Sequence, residues 1–98
     1  MLNELNMIKW IAALRSGDFK QTTNKLHSDD GCHCCLGVAE LIFDIDSADS
    51  INKTSSYNHI MDELGIDAEQ MNIYITFNDE EYYTFSQIAD EAEKLLME

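Results

Sequence analysis

Met7, Trp10, Ile11 and Leu14 recur at i, i+3, i+4 and i+7, the spacing that places apolar side chains on one face of a helix. The pattern predicts a first helix from about Glu4 to Ser16, capped by Asn3. Gly17 is placed to end it in a left-handed conformation. From Phe19 to Leu26 the spacing shifts towards alternation. Asp29-Asp30-Gly31 is a turn signal, so a hairpin pairing 19–27 with 32–35 is expected. A second helix follows over Leu36 to Asp44, on the repeat of Val38, Leu41, Ile42 and Ile45. The polar stretch from Asp46 to Ser56 reads as a loop. A third helix begins near Ser56, turns Ile60, Met61 and Leu64 inward and stops at Gly65, and Asp67 caps one further turn. Asn72 to Phe77, β-branched and aromatic, reads as a strand, with Tyr82-Tyr83 pairing back after a turn at 78–81. Thr84 and Gln87 form a capping box that opens a last helix from Phe85 to about Met97. The predicted fold class is α+β: three to four helices packed on a small antiparallel sheet, as a single domain over 1–98.

Composition agrees with a folded chain. Apolar residues make up 45%, and proline is absent. The first apolar stretch, Met7 to Leu14, carries Lys9 and is too short to cross a membrane or serve as a secretory signal. Cys32, Cys34 and Cys35 are too crowded to staple distant segments, which points to a reducing compartment. The sequon Asn52-Lys53-Thr54 is then a chance match. So short a chain buries a thin core, and a homo-oligomer is the expected remedy.

The net charge is −13, but it is unevenly spread. Residues 1–28 hold Lys9, Arg15, Lys20 and Lys25 against Glu4 and Asp18, a balance of +2. Residues 29–98 hold 17 carboxylates against Lys53 and Lys94, a balance of −15. Acidity alone keeps a small protein soluble. It also allows two functional readings: an acidic surface that imitates a phosphate backbone, or a local anion site inside an acidic shell.

Several motifs bear on chemistry. Cys32-His33-Cys34-Cys35 contains a C-x-x-C spacing, yet a zinc site needs a second pair of ligands, and His59 is the only histidine beyond His27 and His33. Cys34 and Cys35 read better as small buried residues entering the second helix, and neither metal nor cofactor is expected. Asp44 to Asp49 begins like a calcium loop but has Ala48, Asp49 and Ser55 where the fifth, sixth and twelfth positions need an oxygen ligand, glycine and glutamate. No phosphate loop, dinucleotide fingerprint or nucleophile–base motif is visible, so no catalytic residue is expected. The most suggestive group is Ala13-Leu14-Arg15-Ser16-Gly17-Asp18-Phe19-Lys20-Gln21, followed by Leu26 and Cys34-Cys35-Leu36-Gly37-Val38. Arg15, Lys20 and Gln21 would sit near the backbone amides of a helix start, the parts of an anion pocket. Alternatively, Arg15 and Lys20 complement the C-terminal dipole of the first helix and the acidic surface around it.

These residues resemble a pattern found in small proteins of tailed bacteriophages. A tryptophan-bearing helix is followed by A-L-R-S-G-x-[YF]-x-Q, a hairpin and C-C-L-G-V, here Trp10, Ala13 to Gly17, Phe19, Gln21 and Cys34 to Val38. Its closing segment is matched by Asn78-Asp79, Thr84-Phe85 and Ile88-Ala89-Asp90. The chain departs from the pattern at His27, where a basic residue often follows the leucine. The resemblance implies a phage accessory gene whose product binds host defence components in the host cytoplasm, and it carries no activity over. The leading expectation is a counter-defence protein, not an enzyme, that sequesters a small anionic host ligand such as a nucleotide immune signal. Arg15, Lys20, Gln21, Lys25 and His27 would line the pocket, and Trp10, Tyr74 or Tyr82 would stack on a base. The alternative is an acidic inhibitor, of the anti-CRISPR or anti-restriction kind, that occupies the nucleic-acid groove of a host nuclease or effector. Asp44, Asp46, Asp49, Glu80 and Glu81 would then stand in for phosphates. Neither reading involves direct nucleic-acid binding or a membrane.

Overall fold

The first helix forms where the spacing places it. In the computed structural model, which describes residues 2–23, 26–43 and 53–97, α1 spans Glu4–Arg15. Asn3 caps it by accepting from the Asn6 amide, and Met7, Trp10, Ile11 and Leu14 are buried. Gly17 (φ 80°) then turns the chain into β1, Lys20–Gln21. Next come β2, Cys32–His33, and the helices α2, Cys35–Ile42, α3, Lys53–Leu64, α4, Ala68–Asp79, and α5, Phe85–Leu96.

Among the described residues, five helices and one two-stranded sheet make a mixed helix-and-strand fold, as expected, but three details of the expectation are corrected. There are five helices in place of three to four, and the two strands run parallel, pairing Lys20 with Cys32 and Gln21 with His33. The chain between them explains the direction. It does reverse at the Asp-Asp-Gly turn, where the Gly31 amide donates to the Ser28 carbonyl. That reversal gives a single antiparallel bridge between His27 and His33. The segment ahead of it has already turned once, so Lys20–Gln21 lies along the other edge of β2 in the parallel sense.

The third correction concerns 72–77. The stretch is helical, the middle of α4, not a strand. Asp67 caps that helix by accepting from the Gln70 amide, and Met71, Tyr74 and Asn78 face inward at helical spacing. Burial of that face outweighs the modest strand preference of isoleucine and tyrosine. Tyr82 and Tyr83 form no strand, and Tyr82 takes a left-handed backbone (φ 54°) in the turn before α5. Thr84 and Gln87 do form the capping box that opens α5.

The core joins all five helices. α1 packs chiefly on α5 and also touches α2 and α3. Leu36, Val38, Ile60, Leu64, Ile88 and Ala92 fill the space between them. Polar groups pin the helix ends: the Asn3 amide donates to the Leu64 carbonyl, and the Asn6 side chain donates to the Glu63 carbonyl. Gly37 in α2 lies directly under the Leu26 carbonyl, where a Cβ would meet that oxygen at 2.1 Å. No helix among the described residues is long and apolar enough to cross a membrane. The calcium-like segment 44–49, the sequon asparagine and Lys25 lie outside the described residues.

Candidate functional site

The residues expected to gather around an anion are turned towards different partners. Arg15, at the last turn of α1, reaches across to α5, where its Nη2 donates to Asp90 (2.7 Å) and meets Glu93 (2.6 Å). Those two carboxylates raise its already high pKa, hydrogen bonding to Asp90 being the larger cause. Lys20 is exposed on β1. Trp10 and Tyr74 do meet, edge to face at 5.0 Å, but both are fully buried and offer no ring face to a ligand. The Trp10 indole donates to the Cys35 carbonyl (2.8 Å). Burial pushes the Tyr74 hydroxyl up to about 12.

Gln21 belongs to an internal network. Its amide donates to Asn78 Oδ1 (2.9 Å) and to the Tyr83 carbonyl (2.6 Å). The same Oδ1 accepts from the Cys35 amide at the start of α2 (3.2 Å), while Asn78 Nδ2 donates to the Thr22 carbonyl (2.9 Å) and Asp79 (2.8 Å). Asn78 is 1% exposed. One carboxamide thus fastens α4 to β1, to α2 and, through Gln21, to the turn before α5. The glutamine and asparagine of the sequence pattern are two ends of one structural joint.

His27 is also engaged, in a chain that the sequence only half announces. Its Nδ1 lies 2.7 Å from His33 Nδ1, and its Nε2 lies 2.6 Å from Oε1 of Glu40. Glu40 is 1% exposed, and its Oε2 has no hydrogen-bond partner among the described residues. Oε1 of Glu40 accepts a hydrogen bond from Nε2–H of His27, which leaves one proton to share between the two Nδ1 atoms. Two imidazolium rings cannot share that bond, so at least one ring stays neutral. Burial and the neighbouring His27 lower the pKa of His33 in the same sense. Glu40 stands on α2 beside the apolar Ala39 and Leu41, a position that draws attention only once its burial is known. Among the described residues, no three histidine, cysteine or acidic side chains are placed to hold a metal ion.

The cysteines serve the start of α2. Cys34 is its N-cap, with Sγ accepting from the Gly37 amide, and the Cys35 thiol lies 3.6 Å from the Tyr74 carbonyl. Burial pushes Cys34 up to about 11 and Cys35 well above its ordinary value. A thiolate, the species that redox and metal chemistry require, is therefore scarce at neutral pH.

An open, ligand-sized groove lies elsewhere, on the outer face of α4. Its volume is about 390 Å³, and Ile73, Thr76 and Phe77 form its floor between Glu69, Asn72 and Glu81. Phe77 is fixed by stacking on Tyr83, with ring centres 4.7 Å apart and planes 9° apart. Tyr82, the residue after Glu81, is 76% exposed. The expected strand concealed this face, because alternation would have sent Ile73 and Ile75 to the opposite side from Tyr74.

With this geometry in place, comparison with known families adds one finding. The family model described as a domain of unknown function, DUF8296, matches residues 3–51, half of the 98-residue chain. The chain belongs to the DUF8296 family. The DUF8296 segment holds α1, both strands and α2, hence the Trp10–Cys35 bond, the His27–His33–Glu40 chain and Arg15. Asn78 and the α4 groove lie beyond it. No curated protein and no solved structure matches the chain.

Proposed function

We propose that this chain is a phage counter-defence accessory protein that works without catalysis, as an acidic inhibitor docking on a cationic, nucleic-acid-binding host protein in the host cytoplasm. The observation that carries the reading is the α4 face. An apolar floor of Ile73 and Phe77 lies between Glu69 and Glu81, and Tyr82, next in sequence after Glu81, is exposed. An aromatic anchor beside an apolar floor, ringed by charge, is the anatomy of a protein-binding hot spot. The left-handed backbone at Tyr82 adds weight, since a bulky residue there costs about 1–2 kcal/mol that glycine would avoid. A residue kept at that cost has a use for its side chain. Glu81 lines the groove and Glu80 precedes it, and on this reading their carboxylates would stand in for phosphates.

Sequestration of a nucleotide would draw on Arg15, Lys20 and Gln21. Two of these already spend donors on Asp90, Glu93, Asn78 and Tyr83. The two readings separate in one experiment. The tagged full chain is exposed to nuclease-treated bacterial lysate, and bound proteins are eluted with a DNA oligonucleotide. The docking reading expects a basic nucleic-acid-binding protein that is displaced by DNA, lost with Glu69→Lys/Glu81→Lys and retained with Arg15→Ala. Calorimetric heat with a cyclic or linear nucleotide, abolished by Arg15→Ala, would reject docking in favour of sequestration.

A further inference from the structure

The buried face of α1 accounts for Met7, Trp10, Ile11 and Leu14, but the opposite face is not polar. Leu5 is 74% exposed and Ile8 54% exposed, and Ala12 lies in the open as well. These residues follow one another at intervals of three and four, the spacing of the seam of a two-stranded coiled coil. The charges beside them follow the same geometry. Glu4 immediately precedes the stripe and Lys9 follows Ile8, five positions apart. In a parallel helix pair, the residue flanking one side of the seam meets the residue five positions on in the other helix.

Electrostatics select the occupant. Residues 29–98 carry 17 carboxylates against Lys53 and Lys94, so two copies repel each other over most of their surfaces. α1 carries Glu4 against Lys9 and Arg15, and it lies in the least acidic part of the chain. A cationic partner is drawn to the acidic faces, whereas a second copy finds on α1 an apolar seam with self-complementary charge.

We propose that α1 is the interface of a parallel, two-fold homodimer. Leu5, Ile8 and Ala12 each pack on their counterparts in the second copy, and Glu4 pairs with Lys9 in both directions. The interface is independent of the α4 groove, so its failure would leave the docking reading untouched. A seam this short gives a dimer that dissociates on dilution.

Sedimentation equilibrium of the full chain over a dilution series tests it. The expected mass rises with concentration from 11.2 kDa towards twice that value. Ile8→Glu weakens association roughly tenfold or more, since it removes two apolar contacts at the centre of the seam. Glu4→Lys and Lys9→Glu each weaken it, and the double swap restores it. All three substituted side chains are exposed, and circular dichroism confirms that the variants stay folded. A chain that is monomeric at every concentration would overturn the proposal. A dimer indifferent to Ile8→Glu, or single swaps that the double swap does not rescue, would do the same.

Discussion

Replacing Asn78 by alanine removes the joint on which β1, α2 and α4 converge. The substitution deletes four hydrogen bonds, but their losses are unequal. Gln21 keeps the Tyr83 carbonyl as an acceptor, and Asp79 lies at the helix end. The Cys35 amide and the Thr22 carbonyl lose the bonds that Asn78 supplied inside the protein. Each stranded backbone group costs about 1–3 kcal/mol, so the expected loss is about 2–6 kcal/mol. That is a large share of the roughly 5–15 kcal/mol that holds a domain of this size. Trp10, the sole tryptophan, is buried against Tyr74 and reports unfolding by fluorescence. In urea, at a slope of about 2 kcal/mol per molar, the midpoint should fall by roughly 1–3 M. Asn78→Asp should be no milder, because it keeps the acceptor for Cys35 but turns a charge towards the Thr22 carbonyl and Asp79. A loss below about 1 kcal/mol for Asn78→Ala would refute the joint, since it would mean that water reaches both backbone groups.

Further outcomes follow from other parts of the structure. Burial and His27 hold His33 below its ordinary value of 6.5, so its contribution to stability is complete above pH 6.5 and is lost as pH falls through the lowered value. Thermal melts of the native chain and His33→Gln from pH 8 to 5 should therefore converge as the pH drops, and parallel curves would contradict the paired-histidine geometry. Gly37→Ala should destabilise by about 1–3 kcal/mol in chemical unfolding despite alanine's better helix propensity, because the Leu26 carbonyl at 2.1 Å from the new carbon belongs to the backbone and must shift. Tyr82→Gly should leave stability unchanged or raise it by up to about 1 kcal/mol, the roughly 1–2 kcal/mol of relieved backbone strain being partly offset by glycine's entropy of about 0.5–1 kcal/mol, while weakening partner capture. A melting temperature lowered by that change would show that Tyr82 serves the fold.

How much of this was legible in the sequence depends on whether a signal was local. The caps at Asn3, Asp67 and Thr84 and the inward faces of α1 and α5 lie within single turns, and the sequence announces them. The helix at 72–77 was concealed because its β-branched residues favour a strand, and the Met71–Tyr74–Asn78 face that decides the matter is set by packing from α1 and α2. The direction of β1 depends on where the chain goes between Thr22 and His27, which no residue-level preference encodes. At the candidate site, Arg15, Lys20 and Gln21 stand out by their chemistry, but the partners of Arg15 and Gln21 lie more than fifty positions away at Asn78, Tyr83, Asp90 and Glu93, and Lys20 makes no ion pair among the described residues. Glu40 and the α4 groove went unnoticed, because one needs its burial and the other needs the helix.

Nuclear magnetic resonance of the isotope-labelled chain, titrated with the partner recovered from lysate, bears most directly on where this protein acts. The predicted result is a set of shifted amides confined to Glu69, Ile73, Thr76, Phe77, Glu81 and Tyr82, fading as salt is added. Shifts centred on Arg15, Lys20 and Gln21, with α4 undisturbed, would contradict the account.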